Sequence, residues 1–336
     1  MENLQKFISK KINSIQSRMV IVGFVFLFGS ANAQTLKLAD FVVFGGGQNC
    51  AGCNLDIDKD VTVNGGKIGG ANLLMIDKGF QTSSNVYSGG KISFKKDAAL
   101  NADVTAAMGG FITLGLDADK SFQITGNVFS NGGAYIKNGS ISGSVSIPIG
   151  SSYNGPTPSG GLNYGLPVLP QLPLLPSEKV FPAAGSGKIN SSVTLTPGSY
   201  GDVKLNGNDI ITFAGPGVYV FKSIDNSGST NYFKYDFQGT TTGLVEIYVH
   251  NEVDLNKTRS VFIGGDASRV YCEVHGSGKG KSKSAFELKK SSGGLANSTQ
   301  WSATVFAPNG DVDIEAGSGN NKFSGAIWGG KKIGIK

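Results

Sequence analysis

The chain has 336 residues, of which 50 are glycine, 39% are hydrophobic and only 16% are charged. So much glycine disfavours a helical protein, at roughly 1 kcal/mol per position relative to alanine, and 20 Phe with 10 Tyr supply the apolar surface that disordered chains lack. The net charge of +6 divides evenly: Lys6, Lys10, Lys11 and Arg18 against Glu2 give +3 in the first 33 residues, and the other +3 is spread over the remainder. A phosphate-binding surface clusters Lys and Arg on one face, so nucleic acid is excluded as an expected partner.

Residues 1–33 read as a signal peptide, with a basic stretch to Arg18, an apolar run from Val20 to Phe28, and the small pair Ala31 and Ala33 ahead of Gln34. The apolar run is far shorter than the ~20 residues that span a bilayer as a helix. Cleavage near Ala33 is expected, leaving a secreted or cell-surface protein with no membrane span in the mature chain. Export makes cysteine pairing relevant, and Cys50 with Cys53 is the expected local structural disulfide; free thiols, and redox or metal chemistry, are the alternatives. Cys272 is left over.

Asp56, Asp58 and Asp60 follow at alternate positions, which on one strand would project to one side and share a calcium ion. The EF-hand pattern fails here, because Val61 and Lys67 stand where Gly and Glu are required. A solvated strand explains the triad as well.

Gly65-Gly66, Gly89-Gly90, Gly109-Gly110 and Gly132-Gly133 recur about every 20–24 residues, each ahead of a short alternating run such as Lys91-Ile92-Ser93-Phe94. A unit of that length cannot bury its own apolar face, so successive units must stack. The expected fold is all-β, a parallel β-helix with coils of about 20–24 residues, with residues 34–147 as its N-terminal block. A β-sandwich is the competing architecture, but it calls for turn signals every 8–12 residues.

Eight of the eleven prolines lie between Pro148 and Pro182, and Pro167, Pro170, Pro173 and Pro176 recur every third residue. Three residues per turn is the polyproline II repeat. Residues 148–182 therefore form a strap, with Leu166, Leu169, Leu172 and Leu175 expected to lie on the rod. Residues 183–336 form the C-terminal block. In it Phe233, Tyr235 and Phe237 alternate with Lys234 and Asp236, and facing outward they would make a stacking platform for sugars; facing inward they are core. His250 and His275 stand outside any nucleophile motif, and the loop from Gly276 to Lys283 lacks the first glycine of a phosphate loop. At the end, Val312 and Ile314 match Ile333 and Ile335 at an offset of 21. The last coil is expected to leave open edges on which copies could stack end to end.

Three pieces together resemble Gly-rich secreted β-helix modules of bacterial surface and adhesin-type proteins, particularly those of Bacteroidota. They are the leader ending Ala31-Asn32-Ala33-Gln34, the run from Leu195 to Gly201 followed by Gly215 to Phe221, and the ending Phe306-Ala307-Pro308-Asn309-Gly310 with Gly325-Ala326-Ile327-Trp328. The resemblance implies a surface or matrix role. The expected function is thus a structural or adhesive rod without catalysis, presenting a long surface to a glycan, a surface protein or a second copy of itself. No catalytic residue is assigned, and no cofactor beyond the calcium candidates. The alternative is a carbohydrate-active β-helix enzyme, a hydrolase or lyase using paired Asp residues on the rod face. A further alternative is an ice-binding rod; threonine ladders repeated coil after coil would mark it, and Thr194-Leu195-Thr196 and Thr240-Thr241-Thr242 stand isolated.

Overall fold

The computed structural model describes residues 34–46, 55–109, 114–277, 284–289, 298–315 and 321–336. The expected signal peptide with its cleavage near Ala33, and the expected pairing of Cys50 with Cys53, lie outside these residues. Within them every strand pairing is parallel, and no α-helix occurs. The protein is a parallel β-helix. Its short strands arise from the period-two pattern: Val43, Ile68, Val86, Val104, Val128 and Val145 stack in register along one face, and all are buried. An isolated strand of three to five residues has no stability in water. Each one exists because the coils above and below supply its hydrogen bonds and cover its apolar side.

The rod has three faces. The first is a sheet of thirteen strands and the second a sheet of twelve. The third is in two pieces, five strands in the N-terminal block and six in the C-terminal block. Coil length varies more than the glycine spacing suggests: Val128 lies under Val145, seventeen residues on, and Cys272 under Val305, thirty-three residues on. The number of residues between successive strands differs from coil to coil and accounts for the spread. The glycine pairs mark different corners, since Gly65-Gly66 precedes a first-face strand and Gly89-Gly90 a second-face strand. Their physical role is close approach. At Gly65 φ is +106°, and at Gly89 an added Cβ would lie 2.1 Å from the carbonyl oxygen of Ala71 in the neighbouring coil.

The order of the strands is the main departure from expectation. Phe41–Gly45, the first described strand, sits in the middle of the first face, between Lys67–Gly70 and Ile327–Gly329. The described chain therefore begins mid-rod and winds outward to Leu162–Tyr164, so that Tyr153–Asn154 and Leu162–Tyr164, inside the 148–182 expected as strap, pair with Gly133–Ile136 and Val145–Ile147 as strands of the rod. It then crosses back as the proline-rich strap, restarts at the opposite end near Gly198–Ser199, and winds inward to finish beside its own beginning. The expectation of an open last coil is corrected: Ile333 pairs with Val312 on one side and with Leu55 on the other. Those edges are taken, and they offer nothing for end-to-end stacking.

The strap lies on the first face. Leu172 and Leu175 pack on Leu36, Phe41, Phe44 and Tyr87, and the Leu36 N–H donates to the Gln171 carbonyl at 3.1 Å. These leucines cover outward aromatic rings that water would otherwise meet. Leu166 and Leu174 remain exposed.

Candidate functional site

The N-terminal part of the third face consists of Thr62–Val63, Gln81–Thr82, Ala99–Leu100, Phe122–Ile124 and Gly139–Ile141. Alternation sends Thr82, Leu100, Ile124 and Ile141 into the core and leaves their neighbours outside. One outward row is Thr62, Gln81, Ala99, Gln123 and Ser140, held in register by strand pairing. A second row stands two residues further along each coil: Asn64, Ser83, Asn101, Thr125 and Ser142. All ten residues are exposed, and none is charged. Strand geometry spaces members of a row by about 4.8 Å and the two rows by roughly 6.6 Å. Within the second row the Thr125 hydroxyl donates to Asn101 Oδ1 at 2.5 Å, and behind it the Thr82 hydroxyl donates to the Val63 carbonyl at 2.8 Å. The face is open to solvent, uncharged and tied together across coils.

Charge is kept at the corner beside this face. Asp60, Asp97 and Ser121 adopt φ of 58°, 55° and 51°, and Gly79 has 73°. This left-handed turn, repeated coil after coil, lets each strand restart in the same place. Lys59, Lys78, Lys96 and Lys120 immediately precede these turn residues. The C-terminal part of the third face is different: Thr194 and Thr212 stack, but the next outward positions are Lys234 and Val261, and Arg259, Gln300 and Lys322 form a neighbouring row.

Phe233, Tyr235 and Phe237 face inward and are fully buried, which corrects the expectation of a sugar-stacking platform. Phe233 meets Trp301 at 5.2 Å and Tyr235 stacks on Phe213 at 5.1 Å between ring centroids. The side of this strand that carries Lys234 and Asp236 is the outer one because the aromatic side gains far more from burial.

The second face carries carboxylates. Asp225, Asp254, Glu287, Asp313 and Asp56 follow one another outward along it, with Gly334 between the last two. Lysines answer them: Lys289 pairs with Asp254, Lys336 lies 3.2 Å from Asp313, and Lys332 lies 2.6 Å from Asp56. Burial, helped by Glu287 and Asp225, holds the Asp254 carboxyl above its ordinary range despite Lys289. The calcium expectation required one strand to carry Asp56, Asp58 and Asp60. The strand ends at Ile57, Asp58 accepts from the Lys59 N–H at 2.9 Å, and Asp60 sits in the left-handed corner, so the three do not share one side. Among the described residues no group of three His, Cys, Asp or Glu is placed to hold a metal ion.

Both histidines lie where the strap meets the C-terminal block. Glu273, fully buried, accepts from the Lys179 N–H at 2.8 Å and from the Tyr271 hydroxyl at 2.7 Å, and His275 Nε2 lies 2.7 Å away. Lys179 Nζ donates to Glu246 at 2.8 Å and to the Tyr248 hydroxyl at 2.8 Å. Phe181 of the strap covers this cluster, 4.9 Å from Tyr248, 4.6 Å from His250 and 4.4 Å from His275. These polar groups satisfy one another, and their evident task is to clasp the strap.

No family model and no curated protein matches the chain. Among solved structures, an ice-binding protein from an Antarctic bacterium of the Flavobacteriaceae is similar at 13% identity, over 88% of this chain and 95% of that one, with a TM-score of 0.27. At that likeness no residue role passes from one protein to the other.

Sequence reasoning missed the uncharged face. Its signal was present as Thr-x-Asn, Gln-x-Ser, Ala-x-Asn, Gln-x-Thr and Ser-x-Ser, but the offsets between these triplets are 19, 18, 24 and 17 residues. A search for threonine alone at a fixed period passes over it.

Proposed function

We propose that the chain is an exported, non-catalytic rod that binds ice through the uncharged double row from Thr62 to Ser142. The observation that carries this reading is the combination of regular spacing, exposure and absence of charge over five successive coils. A charged group holds its own hydration shell and disturbs the water beyond it. Hydroxyls, amides and the Ala99 methyl at fixed spacing instead leave adjacent water free to adopt a lattice order. Backbone ladders and the Asn101–Thr125 hydrogen bond hold the rows still before contact, so little freedom is lost on binding. The leader sequence in residues 1–33 supports a location outside the cell, where ice is met. An adhesive role at the cell surface is compatible with this reading, with ice as the surface gripped. The glycan reading lost its aromatic row to the core.

Slow directional freezing of a dilute solution is the direct test. The chain is expected to be enriched in the ice fraction, and Ala99→Lys, which places a charge in the centre of the first row, is expected to return it to the liquid. Exclusion of the unaltered chain from the ice, at the level of an ordinary soluble protein, would overturn the proposal.

A further inference from the structure

The two pieces of the third face do not meet. On the first face the strands Thr304–Ala307, Ile327–Gly329 and Phe41–Gly45 are consecutive, and on the second so are Val312–Ile314, Ile333–Ile335 and Leu55–Ile57. The third-face strands of the outer two layers are Lys322–Ser324 and Thr62–Val63. In the middle layer no described residue forms a third-face strand, so these two strands stand two layers apart, about 9.5 Å, with room for one strand between them. A cleft of about 590 Å³ occupies the place. Its floor includes Val42, Val61, Val63, Phe323 and Ile335, which are only partly buried although they pack against the core.

Among the described residues both rims are open strand edges. The Gln81 N–H donates to the Val61 carbonyl at 3.1 Å, so Val61 turns its backbone toward the next strand of its own sheet and Thr62 turns its N–H and C=O the other way, into the cleft. On the opposite rim the Lys322 N–H donates to the Thr299 carbonyl at 3.0 Å, and the Ser324 carbonyl accepts from the Ala303 N–H at 3.0 Å. Phe323 between them therefore aims its backbone groups into the same cleft. The two rims run in the same direction, because every pairing around the rod is parallel.

We infer that this cleft is a docking slot for one β-strand donated by another polypeptide, running parallel to both rims. The occupant needs backbone donors and acceptors on both of its edges, apolar side chains at alternate positions toward Val61, Val63 and Phe323, and polar ones outward. A compact apolar molecule would cover the floor but leave the backbone of Thr62 and Phe323 unpaired, which favours a peptide strand. A docked strand would join the five-stranded and six-stranded sheets into one continuous face. This inference rests on the strand edges alone and is independent of ice binding.

The probe is a fluorescent peptide copying residues 58–64, the segment that already fills the equivalent place one layer away. Titrated with the chain, it is expected to bind saturably and to slow hydrogen exchange at the Thr62 and Phe323 amides. A peptide with aspartate in place of both valines is expected to bind at least about tenfold more weakly, since it would bury charge against an apolar floor. Phe323→Asp in the chain should weaken the copied peptide similarly. Two results would overturn the inference: no saturable binding, or Thr62 and Phe323 amides already protected in the free chain, which would mean that its own residues fill the slot. The exchange measurement uses the unaltered chain, so it decides the matter even if the Phe323 variant fails to fold.

Discussion

Leu55 lies directly against Ile333 on the second face, although 278 positions separate them in the sequence. Both side chains are fully buried. This contact joins the beginning of the N-terminal block to the end of the C-terminal block, and it makes one continuous core out of two runs of coils.

Ile333→Ala removes apolar volume from that junction, with Val312 on its other side. The expected cost is about 2–5 kcal/mol. Urea denaturation followed by circular dichroism should show one transition moved to lower denaturant. An unchanged midpoint would mean that the two blocks are not coupled through this layer.

Charge placement distinguishes the two parts of the third face, and the proposed function assigns ice contact to the uncharged one. Lys234→Ala, on the C-terminal part, is expected to leave partition into ice as it was, whereas Asn101→Lys should abolish it while changing stability by less than about 0.5 kcal/mol. Equal effects from the two substitutions would contradict the assignment of the binding face.

The strap clasp gives a pH dependence with a defined sign. Burial opposes ionisation of Glu246, but Lys179 and Tyr248 outweigh it and hold the carboxyl below its ordinary 4.5. Its contribution is therefore full above that value and is lost as pH falls through the lowered one. Burial also opposes the charge on Lys179, yet hydrogen bonds to Glu246 and Tyr248 raise its pKa above the ordinary 10.5, so its contribution is full below 10.5 and fails only in stronger base. Protection of the Lys179 amide against exchange should stay level between pH 4.5 and 10.5 and drop only in acid below the ordinary Glu246 value. A level profile down to pH 3 would show that the clasp does not depend on this ion pair.

Glu273→Ala leaves the Tyr271 hydroxyl and the Lys179 N–H without their buried acceptor. The expected loss is about 3 kcal/mol, with protease cuts appearing between residues 176 and 185 before the rod unfolds. A stable variant with an uncut strap would refute the clasp.

Burial, with the nearby Glu273, pushes the Cys272 thiol up to about 12, and the side chain is buried in the core. It is expected to remain unalkylated at pH 8 in the folded chain and to react after denaturation. Mass spectrometry of the peptide containing Cys272 distinguishes these outcomes, and ready labelling of the native chain would go against a closed core there.

The sequence by itself determined that this is a stack of parallel β coils. Abundant glycine, short alternating runs and a strap of regularly spaced prolines are local features, and local features survive in any order of assembly. It also correctly matched Val312 with Ile333 and Ile314 with Ile335, because neighbouring coils share a local pattern. What it could not carry was the order of the layers. Pairing Leu55 with Ile333 depends on which apolar edge finds which, across almost the whole chain, and two hydrophobic edges of the same period look alike in one dimension. The same limit hid the direction in which Phe233, Tyr235 and Phe237 face, since alternation fixes that two sides differ but only packing decides which one is inside. The uncharged face escaped for a related reason: its rows exist only after coils of 17 to 24 residues are brought into register, and that register is set by the corners and the core together, not by any fixed spacing along the chain.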